Sequence, residues 1–148
     1  MKTETIGNRS RVRMFVIVTL AACAFAAAAN AQSSFTGRFT LPYEVHWGAA
    51  VLPAGEYTIT MDTFHTATLV QSASNNQSFY TRLPMIDDST KGPASLSIAF
   101  LQGERRVRSL NLPGFGKSLI YEPLTKAERE QLAKGGQVQA VPVIIARK

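Results

Sequence analysis

The residues of this chain best suited to chemistry are its two histidines and the acids beside them. Glu44 and His46 are two positions apart, which on an extended strand puts both side chains on one face; Asp62 and His65 lie three apart near a turn. Together they would offer four hard or borderline ligands to a metal such as zinc. Spacings this short arise often by chance, and an amphipathic strand with a wet face accounts better for Glu44 and His46, as a loop position does for His65. The expectation is therefore no metal ligand, no catalytic residue and no cofactor.

Other candidate chemistry is weaker. The chain has no Gly-x-Ser-x-Gly elbow, so a serine nucleophile would have to be assembled without a local signature. Gly116-Lys117-Ser118 has the ending of a phosphate-binding loop, but the position that should hold its first glycine is Asn111. Arg105, Arg106 and Arg108 form the densest group of charge. On a regular strand Arg106 and Arg108 share a face and Arg105 points away, an arrangement better suited to guarding a strand edge than to forming a patch. Asn76-Gln77-Ser78 is a glycosylation sequon, relevant only in a eukaryotic host. Tyr43, Trp47, Tyr57, Phe79, Tyr80 and Phe100 would make a sugar-stacking platform if exposed in a row. Their period-two positions beside aliphatics predict core instead.

The elements that must carry these residues are mostly strands. Phe39, Leu41, Tyr43, Val45 and Trp47 alternate with Thr40, Pro42, Glu44 and His46, predicting one strand with five large side chains on one face, at an edge or broken at Pro42. Leu52-Pro53-Ala54-Gly55 reads as a turn, and Glu56–Met61 as the next strand. Residues 66–71 and 78–82 predict a hairpin, and residues 87–93 a loop. Residues 95–101 and 105–112 predict two further strands. Pro113-Gly114-Phe115-Gly116 breaks the pattern, a short strand follows over 118–121, and the final strand spans 138–146 with Pro142 at an edge or bulge. Thr125-Lys126-Ala127-Glu128 is a capping box, opening a helix over 126–134 that Gly135-Gly136 stops. Leu124 and Leu132 would dock it, and its charges would form a solvated face. The expected fold is mainly β: a single antiparallel β-sandwich or barrel-like domain with one short α-helix near the C-terminus.

The N-terminus predicts where this domain goes. Lys2, Arg9, Arg11 and Arg13 precede an uncharged, largely apolar run from Phe15 to Ala29, and Ala29-Asn30-Ala31 supplies small residues for cleavage before Gln32. This is the pattern of a secretory signal peptide, residues 1–31, followed by one β-rich domain, residues 32–148. The run is too short for a membrane anchor, which needs about 20 apolar residues. Leu20-Ala21-Ala22-Cys23 provides an alternative, a lipidated Cys23 at a new N-terminus, although the apolar run continues beyond it. The location expected is periplasmic or extracellular, with a membrane-anchored lipoprotein as the alternative.

Charge and cysteine usage follow from that division. Residues 32–148 hold 12 Lys or Arg and 9 Asp or Glu, so their net charge is +3 against +6 for the whole chain. Half of the basic excess belongs to the leader, and with export it argues against a nucleic-acid partner. The only cysteine is Cys23, leaving the domain without disulfides or thiol chemistry.

Three segments carry a family resemblance: Phe39-Thr40-Leu41-Pro42-Tyr43, Leu52-Pro53-Ala54-Gly55-Glu56-Tyr57, and Thr125-Lys126-Ala127-Glu128-Arg129-Glu130. With the leader, they resemble small exported β-domain proteins of soil bacteria that share an LPAG-x-Y turn-strand and a late S-x-A-E-R-E helix. Leu124-Thr125 stands where that pattern has a Pro-Lys-Ser lead-in. The resemblance implies export and a β-domain but no active site. The function expected is a non-catalytic binding or structural module of the cell envelope or exterior, with an envelope protein or glycan as partner and a membrane only if Cys23 is acylated. The alternative is a small hydrolytic or metal-dependent enzyme using His46, His65 and nearby carboxylates.

Overall fold

Strand β1, Phe35–Leu41, opens the computed structural model, which describes residues 35–146. The cleavage site at Ala31 and Gln32, and Cys23, therefore lie outside the described residues. Phe35, Phe39 and Leu41 are buried while Arg38 and Thr40 face solvent, the alternation expected of a sheet with one wet face. β1 pairs antiparallel with β4, Gly55–Met61, from Phe35↔Met61 to Leu41↔Gly55. β5, Leu69–Ser72, and β6, Ser78–Tyr80, complete one side of this first sheet, and β12, Ile144–Ile145, caps the other.

The chain leaves the first sheet at Pro42, which cannot donate to a ladder. Val45–Trp47 is a separate strand, β2, in the second sheet. Of the five alternating side chains expected on one strand, Phe39 and Leu41 thus belong to β1, Val45 and Trp47 to β2 in the other sheet, and Tyr43 to the connection between them. Val45 and Trp47 still meet Phe39 and Leu41 because both inner faces look into one core. A two-residue turn at Gly48-Ala49 then returns the chain as β3, Ala50–Leu52. Gly48 sits at φ +61, which a type II′ hairpin needs at its first central residue. The sequence pattern did not reveal this hairpin.

The second sheet has the order β11-β8-β9-β10-β7. These strands are β7, Met85–Asp87; β8, Ser95–Leu101; β9, Glu104–Leu112; β10, Lys117–Ile120; and β11, Gln137–Pro142. β7 is an addition to the expected strands: three residues hold no periodicity, and they become a strand by pairing with β10. A 3₁₀ turn over Pro113–Phe115 links β9 to β10. β2 joins β9 through one parallel bridge, His46↔Arg106, and the other pairings among the described residues are antiparallel. The expected last strand divides into β11 and β12 in different sheets, with buried Val143 at the crossing. Gly37 permits that crossing, since a methyl group there would lie 2.8 Å from Val143 Cγ1.

Two sheets packed face to face enclose a core of Ile59, Val70, Leu96, Ile98, Leu110 and Leu119. The expected β-sandwich with one helix is the fold observed. Helix α1, Lys126–Ala133, forms its full capping box: the Glu128 N–H donates to Thr125 Oγ1 and the Thr125 N–H donates to Glu128 Oε2 at 2.8 Å. Among the described residues no helix is long and apolar enough to cross a membrane.

A candidate binding site between two free strand edges

The histidines are held apart by the fold. His46 lies in β2 of the second sheet, and His65 in an exposed turn that follows β4 of the first. Among the described residues no group of three or more His, Asp or Glu side chains is placed to share a metal ion. Gly116-Lys117-Ser118 runs into the β10 ladder, where Lys117 pairs with Asp88 and Ser118 Oγ donates to Asn111 Oδ1 at 2.7 Å. Asn76 forms the hairpin tip at φ +55 and accepts from Gln71 Nε2.

The arginines depart from the expected alternation. In the β8–β9 ladder Ser97 faces Ser109 but Ile98 faces Val107, so Arg108 is the extra residue of a β-bulge. Val107 and Arg108 are consequently both buried, where the regular pattern would place Arg108 on the face of Arg106. Arg108 Nη2 lies 3.0 Å from Glu128 Oε1, and Arg106 reaches Glu104 at 2.7 Å and Glu122 at 3.4 Å. Glu128, expected on a solvated helix face, instead ties α1 to β9. The Thr125 N–H, and then Arg108, hold its carboxyl below the usual range. Arg106 likewise lowers Glu104, first by hydrogen bonding and then by charge. Each of these acids has a cation committed to it, as in a clamp. Arg105 lies over the Tyr43 ring at 4.1 Å and reaches Phe100 at 5.3 Å.

The aromatics divide. Trp47 and Tyr57 are core, and Tyr43 and Phe79 pack partly against it; Tyr80 is 72% exposed and Phe100 42%. Core was the expectation for all six, and Tyr80 and Phe100 correct it. Tyr80 is exposed because β6 is the last strand of its sheet. Phe100 instead belongs to an interior strand and lies beside Arg105.

The edge at Tyr80 belongs to a larger feature. Among the described residues β6 pairs only with β5, and β3 only with β2. The Ser72 N–H donates to Gln77 O and the Thr81 N–H to Thr68 O, which places the intervening bonded pair at Val70 and Phe79. Antiparallel ladders alternate, so Ser78 and Tyr80 turn their N–H and C=O groups away from β5. The two-residue turn closes on Trp47 and Ala50, and by the same alternation Val51 turns its backbone groups away from β2.

A seam with two hollows lies between these edges. One, of 590 Å³, is lined by Trp47, Ala50, Phe79, Tyr80, Arg82 and Tyr121 among others. The second, of 360 Å³, is lined by Val51, Leu52, Tyr57, Val70, Gln77 and Ser78 among others. Ala50 and Phe79 line both. Ala50 and Tyr80 share the first hollow, and Leu52 and Ser78 the second. The floor is aromatic: Trp47 meets Phe79 at 6.2 Å and Tyr121 at 5.0 Å, both edge to face. A hollow of 690 Å³ beside α1 is walled mainly by long polar side chains such as Glu130, Gln131 and Lys134, which offer less shape to a ligand.

Tyr121 ties the floor together. Its hydroxyl lies 2.8 Å from Thr68 Oγ1, joining the second sheet to the first, and its N–H donates to Arg108 O. Burial pushes its phenol up to about 12. The expected result is a late phenolate absorbance step that the Tyr121→Phe variant lacks. A raised folded pKa stabilises the fold fully below the ordinary value of 10. That contribution, on the order of 2–3 kcal/mol, is lost as pH rises through about 12. A UV-monitored alkaline titration showing no late step would contradict this.

Compared with known proteins, the chain matches no family model, no curated protein and no solved structure. The site therefore stands on its geometry. Arg82, Tyr121 and Val51 belong to it and were not singled out in the sequence. Their only signal was adjacency to strands, since a free edge is a property of sheet order.

Proposed function

We propose that the protein is an exported, non-catalytic binding module of the cell envelope or exterior, with the β3–β6 seam as its binding site. The observation that carries this is the pair of strand edges with unused backbone donors and acceptors that border the same two hollows over an aromatic floor. Concave sites with an apolar floor and a few convergent polar groups are where ligands bind. The acids of the β9–α1 region, Glu104, Glu122 and Glu128, are engaged by Arg106 and Arg108 in contacts that hold the fold, which supports a role without catalysis for that cluster.

Export rests on the leader and on a domain that needs no cysteine. Expression with its own leader should give an extracytoplasmic product whose intact mass begins at Gln32; a mass beginning at an acylated Cys23 would make it an anchored lipoprotein. The seam is tested by Ala50→Trp, which places an indole where the two hollows meet. Immobilised wild-type protein should retain envelope components that the folded variant does not. Equal retention by both would move the site elsewhere.

A further inference from the structure

The seam has the form of a vacant strand position. Resting on the binding-module function above, we infer that its ligand is an extended peptide of another protein, added as a strand to β6, with apolar side chains at alternate positions and an acidic group at the Arg82 end.

Three features of the seam select this chemistry. Ser78 and Tyr80 present N–H and C=O groups two residues apart, the repeat at which an added strand offers its own. Val51, on the free edge of β3, carries a further such pair at the second hollow. A glycan has no such repeat of alternating donors and acceptors.

The second feature is the floor. A strand sends every second side chain to one face. The inward ones would fall on Phe79, Tyr121 and Trp47 in one hollow and on Tyr57 and Val70 in the other. Both hollows are lined mostly by apolar and aromatic residues, so those side chains are apolar.

The third feature is charge. Among the described residues, Arg82 and Glu122 are the only charged ones lining either hollow. Glu122 is committed to Arg106 and Arg108, whereas Arg82 has no ion pair among the described residues. Arg82 follows Tyr80 by two positions, on the continuation of the same free edge. A carboxylate on the peptide would complete it, with a charge-assisted bond that also fixes the register.

The test uses the purified exported protein and a fluorescent heptapeptide of alternating valine and threonine ending in aspartate, beside its asparagine counterpart. The aspartate peptide should bind with micromolar affinity and about tenfold more tightly than the asparagine one. That preference should vanish in Arg82→Ala and shrink with added salt. Tyr80→Pro removes an outward N–H that no internal bond uses, and should weaken binding roughly fivefold, while Tyr80→Thr, which keeps the N–H, should weaken it less. Circular dichroism checks that each variant is folded, and Ala50→Trp, which should abolish binding, serves if Tyr80→Pro is not. Equal binding of both peptides to wild type, Tyr80→Pro and Ala50→Trp would overturn strand addition. Neutral oligosaccharides bound by wild type and lost in Ala50→Trp, with no peptide binding below about 1 mM, would leave the seam a binding site but refute the peptide. Binding of neither class would overturn the seam itself.

Discussion

Replacing Arg108 by alanine should lower the unfolding free energy by about 2–3 kcal/mol. Arg108 is 6% exposed and its guanidinium lies 3.0 Å from Glu128, itself largely covered. Truncating one partner of a fully buried pair costs about 3–5 kcal/mol, because the remaining charge stays desolvated and unpaired. Glu128 and Glu122 retain some contact with water, which reduces that figure. Arg108→Met should be milder, since an apolar chain of similar length fills the same space. A double-mutant cycle with Glu128→Gln, followed by urea denaturation, isolates the coupling. Additive losses would show that the pair contributes nothing as a pair. The pH dependence has a definite sign. Glu128 is held below its ordinary value of 4.5, so its contribution is fully present above that value and lost as pH falls through the lower folded one. Wild type and Glu128→Gln should therefore converge in stability at acid pH.

Trp47→Ala should cost about 3–5 kcal/mol, the range for truncating a buried aromatic. Its ring is 3% exposed and meets Phe39, Phe79 and Tyr121, so its loss opens a cavity where the sheets meet beneath the seam. Trp47→Phe should cost only about 1 kcal/mol. The indole Nε1 is buried and has no hydrogen-bond partner among the described residues, and a phenyl ring removes that unsatisfied donor while keeping most of the contact. Thermal unfolding followed by circular dichroism compares the two variants directly. A Trp47→Phe loss equal to that of alanine would mean that Nε1 has a partner, such as an ordered water. Trp47 is the only tryptophan of the chain, so the wild-type emission reports this site without interference.

Most strands were legible in the sequence because one wet face forces period-two alternation, as in β1 and β4. The helix was legible because its capping box is a contact between neighbours in the chain. The Gly48 hairpin and β7 were not, since strands of three residues carry no periodicity. Arg108 was misplaced for a related reason: alternation assumes one residue per step, and a bulge adds one.

By itself the sequence determined a β-rich domain, its late capped helix, the absence of cysteine from residues 32–148, and a leader with the pattern of an export signal. These depend on neighbouring residues or on composition. Sheet order was decided only by the tertiary structure: the chain changes sheets at Pro42 and again at Val143, and among the described residues β3 and β6 each keep one edge without a strand partner. Which strand lies at an edge depends on pairings between residues far apart in the chain, where neither spacing nor residue type records the partner. The same long-range placement separated His46 from His65 and brought Trp47, Phe79 and Tyr121 together. Candidate chemistry read from local spacing therefore dispersed on folding, and the candidate binding site arose where two sheets stop.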